Sequence, residues 1–289
     1  MPRSSSSSSS SAPIGLAGLA WIPARFSGMH EARMDRVTVV VPCFNEEPRL
    51  DVEAFVAARL AGRELELVFV DDGSTDGTRR VLEEIRSRRE GPTTILAQPT
   101  NAGKAAAVRR GVLDAIDRRR GLEGAVGFWD ADLATPLSEL AAFVDVLEQR
   151  PEVDVVIGSR VKLMGRTIER RAWRHYLGRV FATAASMALE LPIYDTQCGA
   201  KLFRVTPAIE RAFEAPFLAR WIFDVELFAR VLAAHPGGPL AAERSIYELP
   251  LERWADVHGS KVKPVDVARA AFDLARIRAR YPRRRPTRP

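Results

Sequence analysis

The sequence predicts an α/β protein in which a mostly parallel sheet is flanked by helices. Three observations carry that expectation. Short runs rich in β-branched residues recur, and each is followed by a stretch whose apolar residues fall three and four apart. The two kinds of stretch alternate at the period of βα units, in a 289-residue chain that is 46% hydrophobic and so has ample material for one large core. The polar residues that punctuate the pattern collect just after the strands. Right-handed crossovers bring those strand ends to one edge of the sheet, where ligands of such folds bind.

Val37-Thr-Val-Val-Val41 reads as the first strand, ending at Pro42, and helical spacing follows in Phe55, Val56 and Leu60. Leu65 to Val70 is the second strand, and Val81, Leu82 and Ile85 mark the helix that opens after Thr75-Asp76. Thr94 to Ala97 is a short third strand, followed by Val108, Val112, Ala115 and Ile116 at the spacing of one helix face. Ala125 to Trp129 is the fourth strand, with Leu137, Leu140, Val144 and Leu147 on its helix, and Val153 to Ile157 is the fifth. Each strand ends in a polar cluster: Pro42 to Glu47, Asp71 to Thr78, Asn101 to Lys104 at the third helix, Asp130-Ala-Asp132, and Gly158-Ser-Arg160. One such cluster would be a loop; several on one edge describe a site.

Outside this region the serine run Ser4–Ser11 and the Gly/Ala/Leu stretch after Pro13 give residues 1–34 the character of a disordered or spurious extension, with Met29 or Met34 as alternative starts. Basic residues exceed acidic ones, 43 against 37. Much of the excess sits in Arg276, Arg278, Arg280, Arg283, Arg284, Arg285 and Arg288, so residues 276–289 are expected to be a basic, extended tail behind a folded domain spanning 35–275. The two cysteines, Cys43 and Cys198, are too few for a disulfide framework or a zinc site, which points to a reducing cytoplasm. No apolar run approaches the roughly 18–20 residues that span a bilayer. Trp173, Tyr176, Leu177, Val180, Phe181, Ala184, Met187 and Ala188 nevertheless recur at helical spacing among arginines. Such a helix suits either a lipid interface, giving peripheral contact at the inner face of the membrane, or the open face of the sheet. The tail alone would motivate nucleic-acid binding, and no nucleic acid is expected.

Asp130 and Asp132 are the most informative residues. Side chains two apart on a strand point the same way, and a turn would let them wrap one ion. Paired hard oxygen ligands suit Mg²⁺ or Mn²⁺ completed by substrate phosphates, although Asp-x-Asp is also ordinary turn chemistry. Asp71 follows a buried strand, where a base or ribose could meet it, while Asp72-Gly73-Ser74 equally reads as a turn and cap. Lys104, near a helix start, and Arg160, whose fork matches phosphate oxygens, are anion candidates. The chain has neither a Walker motif nor G-x-G-x-x-G, which counts against P-loop NTPases and nicotinamide dehydrogenases.

In this order the clusters resemble the family 2 glycosyltransferases of GT-A (Rossmann-like) fold, over roughly Asp35 to Tyr281. Asp195-Thr-Gln-Cys-Gly-Ala-Lys-Leu-Phe203, Arg220-Trp-Ile-Phe-Asp-Val-Glu-Leu227 and Gly259-Ser-Lys-Val262 sharpen the likeness. They resemble the dolichyl-phosphate β-glucosyltransferase branch first and polyprenyl-phosphate mannose synthases second. The resemblance implies an inverting transfer of a hexose, glucose from UDP-glucose in the first branch, to a polyprenyl or dolichyl phosphate, with Mg²⁺ or Mn²⁺ and a C-terminal acceptor-side helical segment. Pro42, Asn45, Glu46 and Asp71 would line the nucleoside pocket with Lys104 nearby, and Asp130 and Asp132 would hold the metal. Asp224 and Glu226 would order sugar hydroxyls or the metal loop, and Ser260 and Lys261 would close over the diphosphate. Some mannose synthases carry a further polar ligand two residues past the pair; here Ala134 stands there, implying fewer protein ligands. With Asp132, Arg160 and Arg171 are the expected catalytic groups, the arginines receiving the acceptor phosphate, although Arg171 equally reads as a solvated helix face. A soluble acceptor or glycan, and a non-catalytic NDP-sugar-binding protein, remain the alternatives.

Overall fold

The structure is a computed structural model that describes residues 33–118, 124–169, 172–256 and 264–282. Its elements run β1 (Arg36–Cys43), α1 (Val52–Ala57), β2 (Glu64–Asp71), α2 (Thr78–Arg88), β3 (Thr93–Ala97), α3 (Lys104–Arg118), β4 (Ala125–Trp129), α4 (Leu140–Gln149) and β5 (Val155–Ser159). The second half adds β6 (Thr167–Glu169), α5 (Ala172–Leu189), β7 (Ala200–Arg204), α6 (Pro207–Glu214), α7 (Phe223–Ala234), α8 (Gly238–Arg244), β8 (Ile246–Pro250), β9 (Arg253–Ala255) and α9 (Pro264–Arg280). All five expected strands form, with the fifth shifted two residues toward its C-terminal end.

A seven-stranded sheet has the order β3-β2-β1-β4-β7-β5-β8. Every pairing is parallel except the two made by β7, which runs antiparallel to both β4 and β5. Because β7 is reversed, its N-terminal end lies at the edge where β1, β2, β4 and β5 have their C-terminal ends. The loop preceding it therefore joins the functional edge. A small parallel pair, β6 with β9, stands apart from this sheet.

Both faces of the sheet are buried, by side chains that alternate along each strand. Val40, Val68, Val70, Phe128, Ile157 and Phe203 meet residues of α3, α6 and α7 on one face. Val39, Val41, Leu67, Phe69, Trp129 and Leu202 meet Phe55, Leu82, Ile85, Phe143 and Leu147 on the other. Each such side chain contributes about 1.5–3 kcal/mol of burial energy. Local signals set the helix starts: Asp51 accepts from Ala54 N at 3.0 Å to cap α1, and Thr206 caps α6 ahead of Pro207.

Two expected boundaries move. Met34 is buried in the core, and its N–H donates to Glu148 Oε1 at 2.8 Å, so the folded region begins before residue 35. At the other end α9 continues through Arg276 and Arg278 to Arg280, placing these arginines on a helix rather than in an extended tail. Among the described residues no helix is long and apolar enough to cross a membrane.

Candidate active site

The two aspartates are brought together by a turn, not by strand alternation. β4 ends at Trp129, and the chain turns at once, with Leu133 N donating to Asp130 O at 3.2 Å and Leu133 in the left-handed region (φ 48°). Ala134 N donates to Asp132 Oδ1 at 3.1 Å, and the Trp129 indole N–H donates to Thr135 O at 2.7 Å, so the loop is tied at both ends. Asp130 N donates to Gly199 O at 3.1 Å, next to the Trp129–Ala200 pairing of β4 and β7. A Cβ on Gly199 would stand 1.9 Å from Asp130 Oδ2, so only glycine lets that carboxylate occupy its place.

The charges around this turn act on one another. Burial, then Asp130, raises the pKa of Asp132, against lowering by Ala134 N–H, Lys104 and Arg49. Glu46, at the end of β1, is pushed up to about 7, chiefly by burial; its ion pair with Arg49 opposes this, and Asp132 and Asp130 reinforce it. Lys104, the first residue of α3, forms an ion pair with Asp130. Desolvation works against its charge, but Asp130, Asp224 and Asp132 more than offset it and hold its pKa above the ordinary value. The Lys104 side chain is 40% exposed, so solvent moderates these influences. Glu46, Asp130, Asp132, Lys104 and Asp224 thus share one site. Arg49, which the sequence reading passed over, belongs to it too.

This donor set fits a hard divalent cation. It is all oxygen, and the charges of Asp130 and Asp132 both raise the pKa of Glu46, as that of Asp130 does for Asp132. Among the described residues no group of three or more His, Cys, Asp or Glu is placed to hold a metal by itself. Such an ion would draw its remaining ligands from phosphate and water.

The first two strand ends are laced together beside the cleft. Pro42 pairs with Val70 and Cys43 with Asp71 across β1 and β2. Asn45 takes φ 52°, a conformation its short amide tolerates, donates its N–H to Ser74 Oγ at 3.1 Å and accepts from Thr75 N at 2.8 Å. Asp71 Oδ1 accepts from Ser74 N at 3.0 Å. Asp72 is a framework residue: it accepts from Gln98 Nε2, Ala102 N and Gly103 N at 2.8, 2.8 and 2.7 Å, fixing the approach to Lys104.

Two expected site residues are already engaged by protein partners. Arg160 does not present an open fork: Nε and Nη2 are held by Asp195 at 2.6 and 2.7 Å, and the guanidinium lies 5.3 Å from the Trp254 ring centroid. Glu248 in turn accepts from Tyr194 N and Asp195 N, both at 2.8 Å. Arg160 and Asp195 line a pocket with Arg179, Phe181, Tyr194 and Gln197. Glu226 does not face a sugar at all. It is fully buried on α7, where one oxygen accepts from Leu218 N and Ala219 N and the other from Arg230, because a carboxylate in a dry interior must have its acceptors filled. Asp224, also on α7, accepts from the buried Lys201 Nζ at 2.6 Å while its charge is felt at Lys104. Cys198 is buried with its thiol pKa raised, chiefly by that burial, as befits a packing residue. Arg171, Ser260 and Lys261 lie outside the described residues.

A mostly parallel sheet with one reversed strand, and an Asp-x-Asp turn at the carboxyl edge facing a lysine, define a GT-A glycosyltransferase. The chain belongs to glycosyl transferase family 2, whose model matches residues 38–211. It is 32% identical over 266 residues to a dolichyl-phosphate beta-glucosyltransferase of Saccharomyces cerevisiae, covering 85% of this chain and 75% of that relative. It is 30% identical over 261 residues to the human protein of the same name, covering 85% and 76%. Glucosyl-3-phosphoglycerate synthase from Mycobacterium tuberculosis, solved with Mn²⁺ and UDP-glucose, shares the fold at TM-score 0.60 and 16% identity, over 86% of this chain and 79% of that one. A mannosyltransferase from Pyrobaculum calidifontis, solved with GDP-mannose and Mn²⁺, matches at TM-score 0.56 and 21% identity, over 89% and 67%.

Proposed function

We propose that this chain transfers glucose from UDP-glucose to a polyprenyl phosphate of the dolichyl type, with inversion at the anomeric carbon and with Mg²⁺ or Mn²⁺. The observation that carries the reading is the cleft of Asp130, Asp132 and Lys104, in a chain alike over 85% of its length to a dolichyl-phosphate beta-glucosyltransferase. An oxygen of the acceptor phosphate forms the new bond to the anomeric carbon, and the bond from that carbon to the donor diphosphate breaks with its electron pair leaving on the nucleotide. The attacking oxygen is already anionic near neutral pH, so little or no general base is required. Charge control is the task, because two phosphates must approach one carbon. Asp130 and Asp132 would hold the metal, which when bound supplies positive charge to the departing diphosphate. Lys104 adds a second positive group beside Asp130, and Asp195 holds Arg160 at the wall of the neighbouring pocket.

The proposed setting is a membrane surface, met from the side. Exposed Val180 and Met187 on α5 and Phe272 on α9 support it, since the two helices are clipped together by Arg278, which donates to Ala188 O at 2.9 Å.

The deciding experiment incubates purified protein with a panel of NDP-sugars, Mg²⁺ or Mn²⁺ and a short prenyl phosphate, and reads the lipid by mass. Hexosylated prenyl phosphate from UDP-glucose alone is expected. Transfer only to soluble acceptors would remove the lipid from the proposal, and absence of any turnover would leave a nucleotide-sugar binder.

A further inference from the structure

The motif Arg220-Trp-Ile-Phe-Asp-Val-Glu-Leu227 is only partly explained by the buried pairs of Asp224 and Glu226. Glu226 holds Leu218 N and Ala219 N at 2.7 and 3.0 Å. Its partner Arg230 donates to the carbonyls of Ala212, Ala215 and Pro216 at 3.1, 2.6 and 2.6 Å. One buried ion pair therefore fastens the whole segment leading up to Arg220, and Arg220 itself emerges exposed.

Its guanidinium has a definite seat. Nε and Nη2 each lie 3.1 Å from the position a Cβ on Gly103 would take, so the fork rests against the backbone of the residue immediately before Lys104. Gly103 has φ +96° and donates its N–H to Asp72, which makes that side of the contact equally built. Lys104 has an acidic partner in Asp130; Arg220 has no ion-pair partner among the described residues. The clamp on one side and the Asp72-held Gly103 on the other thus seat a guanidinium without an ion-pair partner against the residue that precedes Lys104, at the start of α3.

We propose that Arg220 is a phosphate-binding residue of this site, taking oxygens of the donor diphosphate or of the acceptor phosphomonoester. This rests on the glucosyl-transfer reading above. A planar fork matches phosphate oxygens in pairs, which a lysine cannot reproduce. It also gives Glu226 and Arg230 a purpose beyond packing, because they set where the fork begins.

The test compares wild type, Arg220→Gln and Arg220→Lys in steady-state kinetics with UDP-glucose and a short polyprenyl phosphate, alongside calorimetric titration with UDP and Mn²⁺. Arg220 is exposed, so both variants are expected to melt with the wild type. Arg220→Gln is expected to raise KM for one reactant about tenfold or more, with Arg220→Lys intermediate. A matching loss of UDP affinity assigns the contact to the diphosphate; unchanged UDP affinity with a raised acceptor KM assigns it to the phosphomonoester. Wild-type turnover with both KM values and UDP affinity within about twofold in Arg220→Gln, whatever happens to kcat, would overturn the proposal. No wild-type turnover would overturn the glucosyl-transfer reading itself, and this one with it.

Discussion

Glu46 is pulled in opposite directions by its neighbours, and the balance makes it a sensor of the charges around it. Burial is the largest influence, Arg49 opposes it, Asp132 and Asp130 add to it, and the pKa rises from 4.5 to about 7. The folded protein therefore binds this proton more tightly than the unfolded chain does. The associated stability is complete below about 4.5 and is lost as pH rises through about 7. Glu46→Gln removes the dependence, so its melting temperature relative to wild type, both free of metal, is expected to climb between about pH 5 and pH 8. A flat difference across that range would show that Glu46 does not titrate there. Asp132 responds to Asp130 and Arg49 as well, but its proposed role is chemical. Asp132→Ala is expected to lower transfer by at least a factor on the order of 10²–10³ while the protein still melts cooperatively. Full activity of that variant, or of wild type freed of divalent ions, would remove the metal from the mechanism.

At the scale of elements, β7 matters most, and the sequence reading passes over it as it does over β6, β8 and β9. Ala200-Lys-Leu-Phe-Arg204 carries a lysine at a position where the structure exposes nothing of it, so the run does not read as a buried strand. Lys201 is admissible there only because Asp224 and Cys198 O receive its ammonium, partners that lie far along the chain or across a turn. Strands β1 to β5 were legible because their apolar runs need no such partner. Reversal of β7 delivers Gly199 to Asp130, and Gly199→Ala is expected to displace that carboxylate and depress activity by about 10²-fold or more, read as kcat/KM. The α7 clamp can be tested apart from chemistry. Glu226→Ala strands the charge of Arg230 and two N–H groups in the interior, and should cost about 3–5 kcal/mol in denaturant unfolding. A loss under about 1 kcal/mol would mean that the loop finds other partners.

For the whole molecule, what could be read from the chain was the edge; what could not was how its charges are spent. The clusters at 42–47, 71–78, 101–104, 130–132 and 158–160 do follow strand ends on one edge. Arg160 and Glu226 carry the same charges as binding residues and differ only in being saturated by Asp195 and Arg230, which spacing along a chain does not reveal. The exposed apolar face presents the converse case, a property of two helices together. Val180 and Met187 on α5 are 69% and 72% exposed, and Phe272 on α9 is 66% exposed, while Ala185, Leu189, Ala270 and Ile277 of the same helices are buried. Each helix thus has a satisfied inner side and an apolar outer one, with Arg276 and Arg278 beside the latter. Sinking three such side chains into a lipid interface removes them from water at a gain of up to about 1.5–3 kcal/mol each, and because Arg276 and Arg278 are paired with Asp273 and Glu190, they add less than the roughly 1 kcal/mol of an unpaired basic residue against anionic headgroups. Co-sedimentation with vesicles containing anionic lipid is therefore expected, weakened but not abolished by salt. The triple variant Val180→Glu, Met187→Glu, Phe272→Glu should lose vesicle binding by at least about tenfold yet keep its rate on a short, water-soluble prenyl phosphate. Equal vesicle binding by the variant would move the lipid contact to another face, and a parallel loss of the soluble rate would mean the substitutions had disturbed the cleft instead.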